Sequence, residues 1–311
     1  MGGGGGGGIV IQNNYTTNFV TWYGPPNPQN KFTFTVGARA NGGGNNSIIG
    51  MHTLWKTYNS SGAVTSTTTV YQGGYGACNC SAPGGAGGSG GGGAAGTNCV
   101  SAANCSQGGQ GNCGGSGVAG TRVCSCGGPC IMFWALGGGG GGYSSAGSSG
   151  SLPNTFCPAI SPGSGGTGLN ISAYLSPYLQ TTLSMGNSVL SSAGYSGYST
   201  LWASSGGGAS GTRGACNPCY QNAFGAASGG PGAGSGNSPN ASGWGCGGGG
   251  AAYYGGGGYT GGGLVVVSYA GKPATNTGLI IDYDSAADKT YHVIFGPPQD
   301  NYTYTDYALQ F

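Results

Sequence analysis

Runs of consecutive glycines are the feature that most constrains what this chain can fold into. Glycine supplies 77 of the 311 residues, whereas its average share in proteins is about 7%. Internal runs include Gly90–Gly93, Gly137–Gly142, Gly206–Gly208, Gly247–Gly250 and Gly255–Gly258. Such a chain is either a disordered low-complexity polypeptide or a fold built from packed glycine backbone. The 20 tyrosines, 8 phenylalanines and 5 tryptophans, with a net charge of only +2, favour order, because disordered segments have few aromatic residues and a high net charge.

Glycine segments can be ordered as threefold left-handed helices of the polyproline II type. Unlike proline, glycine keeps its N–H donor, and it has no Cβ, so such helices can lie close together and hydrogen-bond laterally. Buried backbone groups are then paired between segments. Glycine in regular structure is disfavoured by roughly 0.5–1 kcal/mol relative to alanine, and lateral hydrogen bonds, aromatic packing and disulfides have to offset that cost. We therefore expect residues 76–262 to form a bundle of polyglycine II helices.

The two ends of the chain have the patterns of β-strands. Phe32, Phe34 and Val36 alternate with polar residues, a period of two that is typical of a half-buried strand. Further strand candidates are the short apolar run Ile9–Ile11, the Thr-rich Ala63–Tyr71, and Leu264–Val267, Leu279–Ile281, Tyr291–Phe295 and Tyr302–Tyr307.

The two ends also share a turn sequence. Tyr23-Gly24-Pro25-Pro26 precedes the alternating Phe32 and Phe34, and Phe295-Gly296-Pro297-Pro298 precedes the alternating Tyr302 and Tyr304. We interpret this echo as a sign that both ends build one β-domain. The prediction is a mainly β fold with little α-helix: a β-sandwich, jelly-roll or TNF-like, formed by residues 1–75 and 263–311. The glycine- and cysteine-rich residues 76–262 are inserted between its two parts.

One segment inside the glycine-rich region has helical signals. Ile171, Tyr174, Leu175, Tyr178, Leu179 and Leu183 recur at helical spacing. Ser176-Pro177 has the chemistry of an N-cap followed by the first helical residue. A helix that begins there excludes Ile171, Tyr174 and Leu175, so the two signals disagree about where the helix starts.

All twelve cysteines lie within the glycine-rich region. They are Cys78, Cys80, Cys99, Cys105, Cys113, Cys124, Cys126, Cys130, Cys157, Cys216, Cys219 and Cys246. We interpret them as up to six disulfides rather than a zinc site, because only Cys216 and Cys219 have the spacing of a CxxC pair and only two histidines are present. Disulfides indicate an oxidising setting.

The start of the chain lacks the basic and apolar regions of a secretory signal. No run of 18 apolar residues predicts a transmembrane span. Together with the cysteines, this favours a virion protein oxidised during or after assembly; a processed extracellular protein is the alternative.

The charges argue against catalysis and against nucleic acid. There is no glutamate, and the first acidic residue is Asp282, so general acid–base work by paired carboxylates has no candidates before it. Asp282-Tyr283-Asp284 could bind Ca²⁺, but a solvated hairpin edge suits the sequence better. We expect no enzyme activity, no catalytic residue, no metal and no cofactor. The six scattered cations before Asp282 form no basic patch for nucleic acid. The low charge density leaves little protection against self-association, which favours a homo-oligomer or an assembly with other structural proteins.

Two segments carry a family resemblance. Residues 247–269 combine glycine runs and tyrosines and close on Leu264-Val265-Val266-Val267, and Phe32–Ala38 is followed by Asn41-Gly42-Gly43-Gly44. This resembles the glycine-rich domains of phage tail-fibre adhesins and related viral structural proteins, and it is similar in style to the glycine-rich extracellular domain of anaplastic lymphoma kinase-type receptors. The resemblance implies a β-sandwich that cradles a polyglycine bundle. The many cysteines depart from the phage adhesins and point to a virus of a eukaryotic host.

Three functions follow as hypotheses. The first is a structural component of a virus particle, such as a minor capsid, vertex or fibre protein. The second is an adhesin on a virion or cell surface that binds a host receptor or glycan through a loop with Tyr195, Tyr198 and Trp202, since aromatic residues among Ser and Gly suit a binding tip. The third is an ice-binding or extracellular matrix protein.

Sequons for glycosylation are also present. They occur at Asn14, Asn45, Asn59, Asn79, Asn104, Asn170, Asn240 and Asn301, and those at Asn79 and Asn104 are weak acceptors because each precedes a cysteine. They matter only if the protein passes through a glycosylating compartment.

Overall fold

The computed structural model describes residues 2–12, 31–38, 52–59, 61–77, 83–95, 102–105, 108–125, 129–151, 161–184, 190–191, 201–213, 223–224, 241, 243–250, 258–273, 280–297 and 305–310. Within them the chain is mainly β, as predicted. The strands are β1 (Lys31–Val36), β2 (Thr53–Tyr58), β3 (Val64–Val70), β4 (Val118–Ser125), β5 (Pro129–Leu136), β6 (Leu169–Asn170), β7 (Trp202–Ala203), β8 (Ser210–Arg213), β9 (Ala223–Phe224), β10 (Leu264–Ala270), β11 (Ile280–Asp284), β12 (Lys289–Phe295) and β13 (Thr305–Gln310). One α-helix, α1 (Pro177–Ser184), follows a short 3-10 helix, Ser172–Tyr174.

Strands β1 and β13, which lie near opposite ends of the described chain, share one antiparallel sheet, which we call the terminal sheet. Its order is β13-β1-β2-β3. Strand β1 pairs with β13 from Lys31 opposite Gln310 to Val36 opposite Thr305, and on its other side with β2. The first and last strands among the described residues are therefore neighbours, which agrees with the expectation that the two ends combine.

A second antiparallel sheet, the central sheet, has the order β10-β12-β11. Its alternating apolar residues serve two different cores. On one face Ile294, with Val265 and Val267, packs in a cluster with Phe34 and Val36 of the terminal sheet. On the opposite face lie buried Val293 and Phe295, with Leu264 and Val266 packed against the same cluster. This period-two division explains why Leu264–Val267 and Tyr291–Phe295 are almost uninterruptedly apolar: both faces are covered.

The second face of the central sheet is covered by α1 and by residues from the glycine-rich region. Leu179 and Leu183 of α1 are fully buried in this cluster, together with Ile171, Leu175 and Trp244. The Trp244 ring stacks on Phe295 with 4.7 Å between ring centroids. The glycine-rich region thus joins the central sheet through large side chains.

The helix begins where the Ser-Pro pair predicts. Ser176 Oγ accepts a hydrogen bond from the Leu179 N–H at 3.1 Å, the geometry of an N-cap. The same hydroxyl donates to Oδ2 of Asp282 in β11, which ties the start of the helix to the central sheet. The apparent conflict in the periodicity disappears because the 3-10 helix comes first and places Ile171 and Leu175 in the same core as α1.

A third sheet lies inside the glycine-rich region, with the order β4-β5-β8-β9. Strands β4 and β5 form a long hairpin that contains Ile131-Met132-Phe133-Trp134. Strands β6 and β7 pair separately. Residues 76–262, for which we expect a bundle of polyglycine II helices, therefore also contain conventional strands.

Most predicted strands are confirmed, with two differences. The run Ile9–Ile11 forms no strand: Ile9 packs against the core around α1, and Val10 and Ile11 are exposed. The segment Gly2–Gly8, which we expect in the first part of the β-domain, hydrogen-bonds to glycine-rich segments far along the chain.

Candidate functional site: the glycine core

Glycine-rich extended segments lie side by side and form what we call the glycine core. It comprises residues 2–8, 71–77, 84–93, 112–116, 137–142, 145–150, 163–167, 204–209, 243–250 and 258–263. None of these ranges contains a regular α-helix or a long strand. They are joined instead by single backbone hydrogen bonds from one segment to the next.

The segment Gly2–Gly8 lies at the centre of this core. Its N–H groups donate in three directions that repeat every third residue. Gly2, Gly5 and Gly8 donate to Ala77, Gly74 and Tyr71 at 2.9, 2.7 and 2.6 Å. Gly3 and Gly6 donate to Gly138 and Gly141 at 3.0 and 2.9 Å, and Gly4 and Gly7 donate to Gly248 and Gly245 at 3.0 and 2.6 Å. Three different neighbours are therefore each contacted once per three residues.

The carbonyl groups of the same segment bind further neighbours. Gly3 and Gly6 accept hydrogen bonds from the N–H groups of Gly92 and Ser89, and Gly4 accepts one from Gly207. The Ser204 hydroxyl donates to the Gly7 carbonyl. Segments 84–93 and 204–209 thus add two more neighbours, so that Gly2–Gly8 is surrounded by five other parts of the chain.

The three-residue repeat holds elsewhere in the core. Gly138 and Gly141 donate to Gly93 and Gly90, at 2.9 and 2.8 Å. Gly140 and Tyr143 donate to Gly207 and Ser204, at 3.0 and 2.9 Å. Gly258 and Gly261 donate to Gly249 and Cys246 in the same manner, at 2.9 and 2.7 Å. In each example, two donors three residues apart meet acceptors three residues apart.

The close approach of these segments explains why the residues have to be glycine. A Cβ added to Gly2, Gly3, Gly5 or Gly6 would lie under 3.0 Å from a backbone oxygen of a neighbouring segment, closer than real Cβ atoms come. At Gly4 and Gly7 the nearest oxygen would be 3.3 Å away, and a side chain there needs only a small shift. The lack of space for a Cβ atom therefore also repeats every three residues along Gly2–Gly7.

The described cysteines behave in three different ways. A disulfide joins Cys105 to Cys113. Cys124 and Cys130 are directly opposite each other in the register of β4 and β5. Cys246 corrects the prediction for that residue, because its thiol is free and buried. Cys78, Cys80, Cys99, Cys126, Cys157, Cys216 and Cys219 lie outside the described residues.

The Cys246 thiol is held within the glycine core. Its sulfur accepts a hydrogen bond from the Ser205 N–H at 3.4 Å and lies 3.6 Å from the Trp244 carbonyl oxygen, to which the thiol donates. Burial raises the pKa of Cys246 to about 11, although the hydrogen bonds from Ser205 act in the opposite direction. The residue therefore stays a neutral thiol and packs as a small apolar side chain.

Both histidines are hydrogen-bonded residues of the β-rich parts. His292 in β12 is fully buried, and its Nε2 lies 2.9 Å from the Tyr269 hydroxyl. His52, just before β2, accepts a hydrogen bond at Nδ1 from the Gln72 N–H at 3.2 Å. Burial lowers the pKa of His52, which favours the neutral ring that this hydrogen bond requires.

Three of the five acidic residues, Asp282, Asp284 and Asp288, lie at the β11–β12 hairpin. Asp284 caps the turn, since its Oδ1 accepts hydrogen bonds from the N–H groups of Ala286 and Ala287 at 3.0 and 3.1 Å. Asp288 accepts one from the Tyr283 hydroxyl at 2.7 Å. Each carboxylate named here thus has a local structural partner, and the described residues contain no cluster of three or more metal-ligating side chains.

The candidate binding loop is only partly described. Trp202 lies half-buried in the short strand β7, whereas Tyr195 and Tyr198 fall outside the described residues. Of the sequons, Asn59, Asn104 and Asn170 are described, and Asn59 and Asn170 are exposed. Asn59 Oδ1 accepts hydrogen bonds from the N–H and hydroxyl groups of Ser61 at 3.1 and 2.8 Å. Asn14, Asn45, Asn79, Asn240 and Asn301 fall outside the described residues.

The segment Gly2–Gly8, at the centre of the glycine core, lies outside the residues 76–262 for which the sequence predicts a glycine bundle. The run Gly2–Gly8 carried the signal, because seven consecutive glycines are the same kind of segment as the internal runs. Among the described residues, no helix has the length and hydropathy needed to cross a membrane.

No known protein family model matches this chain, and neither a curated protein nor a solved structure is similar to it at a significant level.

Proposed function

We propose that this protein is a non-enzymatic structural component of a virus particle, in which many copies pack together. The carrying observation is the glycine core, where ten segments are joined by backbone hydrogen bonds and the central one has no side chains. A core of this kind leaves no side chains at its centre for chemistry. It provides a rigid, uncharged body, which suits a building block better than a catalyst.

We infer further that the core is a bundle of polyglycine II helices. The support is the repeat of three, since a helix of the polyproline II type has three residues per turn and no internal hydrogen bonds. Each turn of such a helix presents its N–H groups in three directions, which is the pattern of Gly2–Gly8. The proposed sandwich has comparable support: Phe34 and Val36 of the terminal sheet and Ile294 of the central sheet share one buried cluster.

The virion assignment is supported by the low charge and by the cysteines. Only 4% of residues are charged, and a surface with few charges has little electrostatic protection against association. The Cys105–Cys113 disulfide fits a protein that meets an oxidising environment during its assembly.

Mass spectrometry of purified particles tests this function. The protein should co-purify with intact particles in many copies, and non-reducing samples should contain the peptide that links Cys105 to Cys113. A protein that remains a soluble monomer and is absent from purified particles would contradict the proposal.

A further inference from the structure

The place of Gly2–Gly8 amounts to a binding site for a strand of glycine. Without this segment, a channel would remain between residues 71–77, 84–93, 137–142, 204–209 and 243–250. Seven carbonyl groups would line the channel as acceptors, those of Tyr71, Gly74, Ala77, Gly138, Gly141, Gly245 and Gly248. The N–H groups of Ser89, Gly92 and Gly207 would line it as donors. Each of these ten groups would lose its partner, and unpaired buried backbone groups are strongly disfavoured.

The channel selects its ligand by the absence of side chains. Backbone oxygens of Gly92, Gly207, Ser89 and Ser204 exclude a Cβ at the positions of Gly2, Gly3, Gly5 and Gly6 respectively. At the positions of Gly4 and Gly7 the nearest backbone oxygen is 3.3 Å from such a Cβ. The ligand is therefore an extended peptide that has glycine at the positions of Gly2, Gly3, Gly5 and Gly6, which are two of every three residues.

None of the hydrogen bonds of Gly2–Gly8 requires this segment to belong to the same chain as its channel. It binds through backbone groups and through one accepted hydroxyl hydrogen bond, from Ser204. An identical segment from another molecule would make the same hydrogen bonds. Exchange of identical elements between copies is a low-cost route to association, because no new contact has to be created.

The chain between the segment and the first strand is long enough for exchange. It comprises residues 9–30, 22 residues, and an extended chain spans up to about 3.3–3.6 Å per residue, hence roughly 70–80 Å. A compact domain of this length has a radius of gyration of about 20 Å and a diameter of about 50 Å. The extended length of residues 9–30 is therefore greater than the diameter of the folded domain.

We propose that this channel binds the Gly2–Gly8 segment of a second copy, so that copies are linked by exchanged glycine segments. The inference does not depend on the virion assignment, because it concerns only the segment and its channel. Particle localisation and segment exchange are measured separately, and either can fail alone.

A cross-link between copies tests the exchange in the full-length chain. The Cβ direction of Gly8 points at the Gln110 side chain, so Gly8→Cys in one copy and Gln110→Cys in another can form a disulfide only across copies. The two variants are co-expressed, one of them with an affinity tag, and mass spectrometry identifies the linked peptides. We expect a peptide that joins positions 8 and 110 in material containing both copies. A chain carrying both substitutions is the control, which shows that the two positions can be linked.

A peptide arm tests the selectivity of the channel. A protease site is inserted between Gln12 and Lys31 of the full chain, the folded protein is cleaved, and a fluorescent peptide of residues 1–12 is added. We expect saturable binding that unlabelled peptide displaces. A peptide with Gly3→Ala and Gly6→Ala should bind at least about 30-fold more weakly, whereas a matched peptide with Gly4→Ala and Gly7→Ala should stay within about tenfold.

Two results would overturn the proposal. If the cleaved protein stays folded and takes up no peptide, the channel is not an exchangeable site. If the peptide exchanges but positions 8 and 110 link only within the doubly substituted chain, a second copy is not the occupant.

Discussion

The central sheet and the glycine core bury their backbone in opposite ways. In the central sheet, alternating residues such as Val293 and Ile294 send large side chains to two separate cores. In the glycine core, the segments approach until backbone meets backbone, and there is no room for side chains at Gly3 or Gly6. One region loses stability when atoms are removed, and the other loses stability when atoms are added. The two regions can therefore be distinguished by whether a destabilising substitution removes or adds side-chain volume.

The largest effect should come from adding methyl groups to the centre of the glycine core. The double substitution Gly3→Ala and Gly6→Ala places two Cβ atoms against the backbone oxygens of Gly207 and Ser204. Since backbone cannot move aside as a side chain can, we expect a loss of at least about 3 kcal/mol in the free energy of unfolding, measured by denaturant titration. The matched double substitution Gly4→Ala and Gly7→Ala should cost clearly less. Equal losses in the two variants would contradict the proposed packing.

Removing atoms should have a comparable effect in the central sheet. Phe295 is almost fully buried and stacks on Trp244, so Phe295→Ala leaves a cavity and should cost about 3–5 kcal/mol. Thermal unfolding followed by circular dichroism measures this loss. Phe295→Leu keeps most of the volume and should recover much of the stability. A change below 1 kcal/mol for Phe295→Ala would show that the ring does not join the two regions.

The Cys246 thiol makes the glycine core sensitive to alkaline pH. Its pKa is raised from 9.0 to about 11 by burial, so the folded state keeps the proton that the unfolded state loses. Its contribution is fully present below pH 9 and falls as pH rises from 9 to 11, by roughly 2–3 kcal/mol in total. Denaturant titrations at pH 8 and pH 11 measure the difference.

Cys246→Ala is the control for that experiment, because Tyr291 also has a pKa raised by burial and contributes its own alkaline loss. The part of the pH dependence of unfolding free energy that is lost in Cys246→Ala is due to the Cys246 thiol. An identical pH dependence in the two proteins would mean that Cys246 is not buried as described.

The smallest effect concerns the contact between the start of α1 and the central sheet. Ser176→Ala removes the N-cap of α1 and the hydroxyl that donates to Asp282. We expect a loss of about 1–2 kcal/mol by denaturant titration. Ser176→Asn, which can still cap the helix but alters the contact with Asp282, should lose less if the cap dominates. If neither variant loses stability, Ser176 stabilises neither the start of α1 nor its contact with Asp282.

The sequence predicted the strands of the terminal and central sheets and the start of α1, but it did not predict which segments of the glycine core pair with each other. The alternation at Phe32 and Phe34 and the apolar run at Leu264–Val267 predicted strands, because side chains record which face is buried. Ser176-Pro177 predicted the start of α1 for the same local reason.

Glycines carry no such record. Nothing in Gly2–Gly8 itself indicates that its partners are residues 71–77, 138–141 and 245–248, because identical residues have no periodicity of hydropathy. The partners are set by long-range backbone pairing, which a single sequence does not encode locally. The free thiol of Cys246 escaped prediction likewise, since cysteine spacing alone does not give connectivity.

Hydrogen exchange at the amides of Gly2–Gly8 tests the central claim most directly. The claim is that this segment is the hydrogen-bonded centre of the glycine core rather than a loose end of the chain. Exchange measured by NMR should show protection at Gly3, Gly5 and Gly6 comparable to that of Val293 and Ile294 in the central sheet, because both sets should open only when the protein unfolds. Exchange at the rate of an unstructured peptide across Gly2–Gly8, while Val293 and Ile294 stay protected, would contradict it.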